Sequence, residues 1–161
     1  MSDRPKFSTM WNNFLFIYGN GSVQSVGKKI GGKVEQNIEI GISNPDAGFR
    51  NACAIRMSYA LNHSGFPVSK GTWTTSSGRD KSLYIFRLKD MHEYLVKKFG
   101  KPDYTFTNPK ASDLISMKGI LSFNVTGWSD ATGHITLWDG NTCSDHCYFQ
   151  QAKEAFLWSL K

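Results

Sequence analysis

The chain has 161 residues, of which 40% are hydrophobic and 14% aromatic, and this composition favours a packed globule over a disordered chain. No apolar run approaches the roughly 18 residues that a membrane-spanning helix needs. Lysine and arginine outnumber aspartate and glutamate by 19 to 13, and the net charge of +6 favours a polyanionic partner such as nucleic acid, an anionic membrane surface or a cell wall.

Regular apolar spacing predicts helices along the first part of the chain. Ser8 is a suitable N-cap for the segment FSTMWNNFLFIY, and Ser22 for a second helix that continues through VGKKIGGKV. Gly27, Gly31 and Gly32 lower the helix propensity of the second segment and predict either close packing or a break. A later helix is predicted over 88–99, where a glycine follows its last residue.

The segment NACAIRMSYALNHSG carries a cysteine at the start of a predicted helix. Cys53, Met57 and Leu61 fall on one helix face, and Asn51 is a suitable N-cap, which makes Cys53 the second residue of the helix. Unpaired backbone N–H groups and the helix dipole stabilise a thiolate there, and one N–H could hold an oxyanion. The alternative is a small core residue, since free cysteine is frequently buried.

The last third of the chain changes to short segments rich in β-branched and aromatic residues. These are GILSFNV, GHITLWDG and EAFLWSL, each bounded by turn-forming residues. Helices first and antiparallel strands afterwards predict an α+β fold, in which N-terminal helices pack on a C-terminal antiparallel sheet. The length suits one domain, and no linker divides residues 1–161.

A thiolate nucleophile needs an imidazole and a third polar group that orients the imidazole. His134 begins a predicted strand directly after a glycine, where a core role is not expected. Two carboxylates follow it, and the first, Asp139, precedes a glycine and has the character of a turn residue. Asp145 lies far enough along for the returning chain to place it beside the histidine. We therefore predict Asp145 as the orienting acid, with Asp139 as the alternative.

The CSDHC segment admits two interpretations. Cys143 and Cys147, with His146 and His134, would make a zinc ligand set. Alternatively, the two cysteines form a disulfide across a tight loop and fix the turn that presents Asp145. Zinc sites usually take a second, remote pair of ligands, and only one further cysteine remains in the chain, so the disulfide is favoured.

Two tryptophans near the histidine, Trp128 and Trp138, are candidates for lining a substrate groove. The alternative for both is packing in the core or against a strand, since indole rings carry much of the apolar area that a fold buries. We keep both expectations open.

Taken together, NACAIRMSYALNHSG, GWSDATGHITLWDG and the CSDHC loop resemble the fourth family of type VI secretion amidase effectors, toxins that one Gram-negative bacterium injects into another. The resemblance extends from the first helices to the end of the chain. It implies a single papain-like cysteine peptidase domain, related to NlpC-type wall peptidases, with no cofactor and no metal. It also implies Cys53 as nucleophile, His134 as general base and acid, Asp145 as orienting carboxylate, and a disulfide between Cys143 and Cys147.

The resemblance further implies a substrate, partners and a place of action. The expected reaction is hydrolysis of the amide between γ-D-glutamate and meso-diaminopimelate in peptidoglycan stem peptides. Expected partners are this substrate, the type VI secretion apparatus and a cognate immunity protein, with no nucleic acid and no membrane. An effector injected into a recipient's periplasm needs no signal peptide, and none is visible in MSDRPKFSTM. The oxidising periplasm would also permit the disulfide.

Two rival functions remain open from the sequence. A zinc-stabilised basic module that binds nucleic acid accounts for the net positive charge and for CSDHC, but it gives Cys53 no role. A housekeeping NlpC-type wall hydrolase of the producing cell shares the expected chemistry, but a signal peptide is expected for such an enzyme.

Overall fold

The computed structural model describes residues 3–44, 52–125 and 133–161. In these residues the helices are α1 (Phe7–Tyr18), α2 (Val23–Ile30), α3 (Gly32–Ser43), α4 (Cys53–Asn62) and α5 (Leu88–Phe99). The strands are β1 (Thr75–Ser77), β2 (Leu83–Ile85), β3 (Tyr104–Thr107), β4 (Gly119–Val125), β5 (Gly133–Trp138) and β6 (Ala152–Ser159). None of these helices has the length and apolar character needed to cross a bilayer.

The main sheet consists of four antiparallel strands in the order β3-β6-β4-β5. Alternate residues of β4 face opposite sides of it, so Ile120 joins the core beneath the helices, whereas Leu121 and Phe123 pack on the other face. β5 lies at an edge, and its His134 stands opposite Phe123 in the register. The α+β prediction, with helices packed on an antiparallel sheet, is therefore confirmed.

Helix α4 connects the helical part of the fold to the sheet. It packs against α1, β2 and β5. The predicted inner face, with Cys53, Met57 and Leu61, is buried in the main core, where full burial of a Leu or Met side chain contributes about 1.5–3 kcal/mol. This packing joins the helix that carries Cys53 to the strand that carries His134.

The start of α1 differs from the prediction. The helix begins at Phe7, so Ser8 lies inside it and is not its N-cap. The N-cap is Lys6, whose side chain makes no capping hydrogen bond. Instead, the backbone N–H of Phe7 donates to the carbonyl oxygen of Lys161 at 2.7 Å. A tertiary contact with a distant part of the chain thus satisfies the first of the N–H groups that a helix start leaves unpaired.

The predicted second helix is two helices. Ser22 caps α2 as predicted, because its Oγ accepts a hydrogen bond from the N–H of Ser25 at 3.1 Å. The helix stops at Gly31, whose φ of 70° favours glycine, and the chain continues as α3. A Cβ on Gly32 would lie 2.6 Å from the carbonyl carbon of Gly78. Both the predicted break and the predicted close packing are therefore present.

The start of α4 is shifted by one residue. Cys53 is the first helical residue and Ala52 is its N-cap, so Cys53 is not the second residue of the helix. The expected cap, Asn51, lies outside the described residues.

His92 on α5 makes a contribution to stability that is lost in acid. Its ring lies edge-on to those of Phe156 and Trp158, with 5.3 Å between centroids in each pair, and its Nε2 is buried without a hydrogen-bond partner among the described residues. Burial lowers the pKa of His92, so as pH falls below about 6.5 the unfolded chain takes up this proton first. His134 acts in the opposite direction, because its pKa is raised and folding then takes up a proton near neutral pH. The effect of His92 is therefore a difference between two proteins: between about pH 7 and pH 5, we expect the unfolding temperature of the wild type to fall by about 2 °C relative to that of His92→Phe.

The matched control for this prediction is His63→Phe. His63 is exposed, and its Nδ1 lies 3.0 Å from the carbonyl oxygen of Tyr59. Calorimetric scans at both pH values measure the change in unfolding temperature of each protein. Equal changes in the wild type and in His92→Phe would show that burial of His92 makes no pH-dependent contribution.

Candidate active site

Cys53 lies at the positive end of α4 and takes no part in a disulfide. The residue is only 2% exposed. The N-cap residue, Ala52, has no side-chain oxygen with which to cap the first turn. The Cys53 side chain is hydrogen-bonded to that of His134. The sulfur thus lies beside both a helix N-terminus and an imidazole.

His134 connects Cys53 to Asp145. Its Nε2 lies 3.0 Å from each carboxylate oxygen of Asp145, and the hydrogen bond is made to Oδ1. The Asp145 side chain has no exposed surface, and its Oδ2 has no other partner among the described residues. Because Nε2 serves the carboxylate, Nδ1 is the ring nitrogen left to face the thiol.

Two further groups fix the carboxylate of Asp145. The hydroxyl of Thr136 and the backbone N–H of His146 each donate to Oδ1 at 2.6 Å. Thr136 Oγ1 is also 3.0 Å from the hydroxyl of Ser144. Thr136 follows His134 by two positions on β5, so both side chains stand on the same face of the strand. The strand therefore positions the ring and the carboxylate together.

The charges at the site favour a protonated imidazole. Burial lowers the pKa of His134, but hydrogen bonds to Asp145 and Cys53, and the negative charges of both groups, outweigh burial and raise this pKa to about 9. For Asp145, burial raises the pKa, whereas the hydrogen bond and charge of His134 lead the effects that hold it below its usual value. At neutral pH the pair is imidazolium and carboxylate, and an imidazolium beside a sulfur stabilises the thiolate.

The loop that carries Asp145 is closed by a disulfide between Cys143 and Cys147, whose Cα atoms are 5.5 Å apart. Because the two sulfurs are bonded to each other, the zinc interpretation loses both of its thiolate ligands. The backbone N–H of Ser144 donates to the carbonyl oxygen of Leu137 at 2.9 Å, so the returning chain runs beside the end of β5. This return places Asp145 against the histidine.

Asp139, the alternative orienting acid, has the turn role. Its Oδ1 accepts hydrogen bonds from the backbone N–H groups of Asn141 at 2.8 Å and Thr142 at 2.7 Å. The residue is exposed, and Asp145 occupies the position beside the imidazole. Asp139 is therefore not kept as a member of the site.

Trp138 belongs to the core and is not kept as a substrate-binding residue. It is 1% exposed, and its indole N–H donates to the carbonyl oxygen of Leu114 at 3.0 Å. Its ring also stands edge-on to Phe149, with 5.4 Å between centroids. A buried indole has no surface left for a ligand. The other predicted groove residue, Trp128, lies outside the described residues.

Sequence reasoning missed several side chains around the site. The Tyr148 ring stands edge-on to the imidazole, with 4.9 Å between centroids. The hydroxyl of Tyr18 lies 3.2 Å from Nε2 of His146, and the guanidinium of Arg56 lies 5.0 Å from the Tyr18 ring centroid. Arg56 follows Cys53 by three positions on one helix, so helical periodicity could have identified it. Tyr18 is distant in sequence and gave no signal.

Comparison with known proteins shows clear similarity to one family. The sequence model for type VI secretion system (T6SS), amidase effector protein 4, matches residues 49–158. The structure of the type VI effector Tae4 from Enterobacter cloacae is similar at 45% identity and a TM-score of 0.90, over 100% of both chains. The effector Tae4 from Salmonella typhimurium, in complex with the immunity Tai4 from Enterobacter cloacae, has 42% identity and a TM-score of 0.90 over 98% of this chain and 100% of that one. No curated protein matches the chain.

Proposed function

Because the chain belongs to family 4 of the type VI secretion amidase effectors, we propose that it is an antibacterial cysteine amidase that cleaves the γ-D-glutamyl–meso-diaminopimelate bond of peptidoglycan stem peptides. The observation that carries the proposal is the hydrogen-bonded series of Cys53, His134 and Asp145 at the start of α4. A single papain-like domain over 1–161 is part of the proposal. It is supported by a helix that begins at the nucleophile and packs against the strand that bears the base.

The first chemical step is acylation of the sulfur. The Cys53 thiolate attacks the γ-glutamyl carbonyl carbon and forms a tetrahedral oxyanion. Backbone N–H groups at the start of α4 donate hydrogen bonds to the oxyanion, each such donor being worth about 3–4 kcal/mol in related sites. His134 then donates its proton to the departing amine of diaminopimelate, the C–N bond breaks, and a thioester remains.

The second step is hydrolysis of the thioester. The neutral His134 removes a proton from water, and the resulting hydroxide attacks the thioester carbonyl. The C–S bond breaks, which restores the thiolate and imidazolium and releases the glutamate γ-carboxyl group, whose proton passes to water. Asp145 holds Nε2 throughout, so the ring keeps the tautomer and orientation that both proton transfers need.

The place of action and the inhibitor are also part of the proposal. We place the reaction in the periplasm of a recipient bacterium after delivery by the type VI apparatus, since the family consists of secreted amidase effectors. Similar structures are complexes of an effector with an immunity protein, which supports a cognate inhibitor here. Co-purification with the product of a neighbouring gene is the test.

A muropeptide digest tests the bond that is cleaved. Purified protein is incubated with meso-diaminopimelate-type muropeptides, and the products are identified by mass spectrometry. We expect one fragment that ends in glutamate and a second that begins with a free diaminopimelate amine, while Cys53→Ala leaves the substrate intact. Cleavage at another bond, or cleavage by Cys53→Ala, would contradict the proposal.

Removal of the disulfide is expected to lower both stability and activity. Closing so short a loop contributes about 2 kcal/mol to the free energy of unfolding in chain-entropy terms, and the loop positions Asp145. We expect a Cys143→Ala/Cys147→Ala double variant to lose about 10- to 100-fold in kcat/KM, because small displacements of catalytic groups are costly. The double variant is preferable to treatment with a reductant, because a reductant would also alter the oxidation state of Cys53. Unchanged kcat/KM in a folded double variant would show that the disulfide is not needed to position Asp145.

A further inference from the structure

Arg56 is a buried cation that the proposed mechanism does not use. The residue is 7% exposed, and its Nη2 donates to the carbonyl oxygen of Gly21 at 3.1 Å. Its guanidinium lies 5.0 Å from the ring centroid of Tyr18. Its Nε is buried and has no hydrogen-bond partner among the described residues. No carboxylate of the residues that the structure describes forms an ion pair with Arg56 either.

Such an arrangement is unusual for arginine. A buried charge is normally paired, because removal from water is costly unless hydrogen bonds or an opposite charge compensate. A peptide carbonyl and an aromatic face compensate only in part. The guanidinium fork matches a carboxylate with two parallel N–H donors, and a carboxylate ligand would therefore complete its surroundings.

Arg56 is also close to the reacting sulfur. It follows Cys53 by three positions on α4, a spacing that places the Cβ atoms about 5–6 Å apart on one helix face. Its charge reaches the phenol of Tyr148. Burial and the negative charges of Asp145, Cys53 and Tyr18 raise the pKa of Tyr148, whereas Arg56 lowers it. The cation, the thiol and the triad carboxylate thus act on one phenol.

We propose that Arg56 binds the free α-carboxylate of the γ-linked glutamyl residue and so selects γ-glutamyl over α-linked or amidated substrates. The inference rests on the proposed function, since it assigns a group of that substrate. In a γ-glutamyl amide the side chain supplies the scissile carbonyl, so the α-carboxylate remains free only a few bonds away. A cation one helical turn from the nucleophile suits that separation.

The test compares two synthetic stem peptides that differ at one group. One carries the free α-carboxylate of γ-linked glutamate, and the other carries the α-carboxamide. We expect wild-type kcat/KM to favour the carboxylate by about 10- to 100-fold, Arg56→Gln to lose this preference, and Arg56→Lys to keep part of it. Equal cleavage of both peptides by the wild type, or a full preference in Arg56→Gln, would overturn the assignment.

The matched control is Arg87→Gln, which removes an exposed arginine that also lies over an aromatic ring, 5.1 Å from the centroid of Phe86. It should keep the wild-type preference. If Arg56→Gln does not fold, the preference of the wild type and the behaviour of Arg56→Lys still decide the outcome.

A second readout separates this inference from the proposed function. Alkylation of Cys53 is followed with N-iodoacetylglycine and with its neutral carboxamide. We expect the anionic reagent to react about tenfold faster, and the ratio to fall towards one in Arg56→Gln but not in Arg87→Gln. A ratio that is the same in wild type and Arg56→Gln overturns the anion site. If the ratio depends on Arg56 but neither peptide is cleaved, the anion site stands and its assignment to γ-glutamyl substrates is overturned.

Discussion

Replacement of His134 by alanine is expected to lower kcat/KM on a γ-D-glutamyl–diaminopimelate peptide by about 10³-fold or more. The ring is hydrogen-bonded to both Cys53 and Asp145. Its loss removes the proton donor for the departing amine, the base for water and the positive charge that stabilises the thiolate. Initial rates of amine release measure the effect.

The protonation of His134 also predicts how kcat/KM of the wild type depends on pH. Because the pKa of His134 is raised to about 9, the imidazolium persists through neutral pH, and the fall of kcat/KM on the alkaline side should begin only near pH 9. His63→Ala is the control, since His63 is exposed and bonds a backbone carbonyl. A folded His134→Ala protein with wild-type kcat/KM would eliminate the histidine from the mechanism.

Asp145→Asn is expected to lower kcat by about 10²–10⁴-fold while leaving the fold intact. An amide of the same size fills the buried space, but it cannot hold the charged ring. The hydrogen bond and charge of Asp145 are two of the effects that raise the pKa of His134, whereas burial, which lowers it, remains. The alkaline limb of kcat/KM should therefore move to lower pH in this variant.

Two further variants test whether the loss of kcat comes from the carboxylate beside the imidazole. Thr136→Val removes the hydroxyl that donates to Asp145 Oδ1 at 2.6 Å, and we expect a smaller loss of kcat, about tenfold, in the same direction. Asp139→Asn changes a turn carboxylate away from the ring and should leave kcat unchanged. A loss in Asp139→Asn as large as that in Asp145→Asn would reverse the two assignments.

Local sequence determined the elements that carry the site. The helix predicted over 88–99 is α5, and the strands predicted at GILSFNV and GHITLW are β4 and β5. Periodicity, glycine and β-branched residues act over a few positions, so they can be interpreted without the rest of the chain. The same patterns identified Cys53 at a helix start and His134 at a strand start.

Only the tertiary structure decided which of several equivalent residues meet. Asp139 and Asp145 were both within reach along the chain, and only the course of the loop places Asp145 against the imidazole. Trp138 lies on the same face of β5 as His134. Its indole, however, packs against Phe149 and donates a hydrogen bond to the carbonyl oxygen of Leu114. Which side chains are covered depends on segments far away in sequence, and local preference carries no information about them.

Contacts with distant segments also decided how the start of α1 is satisfied and how Arg56 is buried. The first N–H of α1 is satisfied by the carbonyl oxygen of Lys161, which is distant in sequence. The helical position of Arg56 could be inferred from its distance to Cys53 in sequence. Its burial without a carboxylate among the described residues became visible only when Tyr18 and Gly21, from the end of α1 and the turn after it, were packed against it.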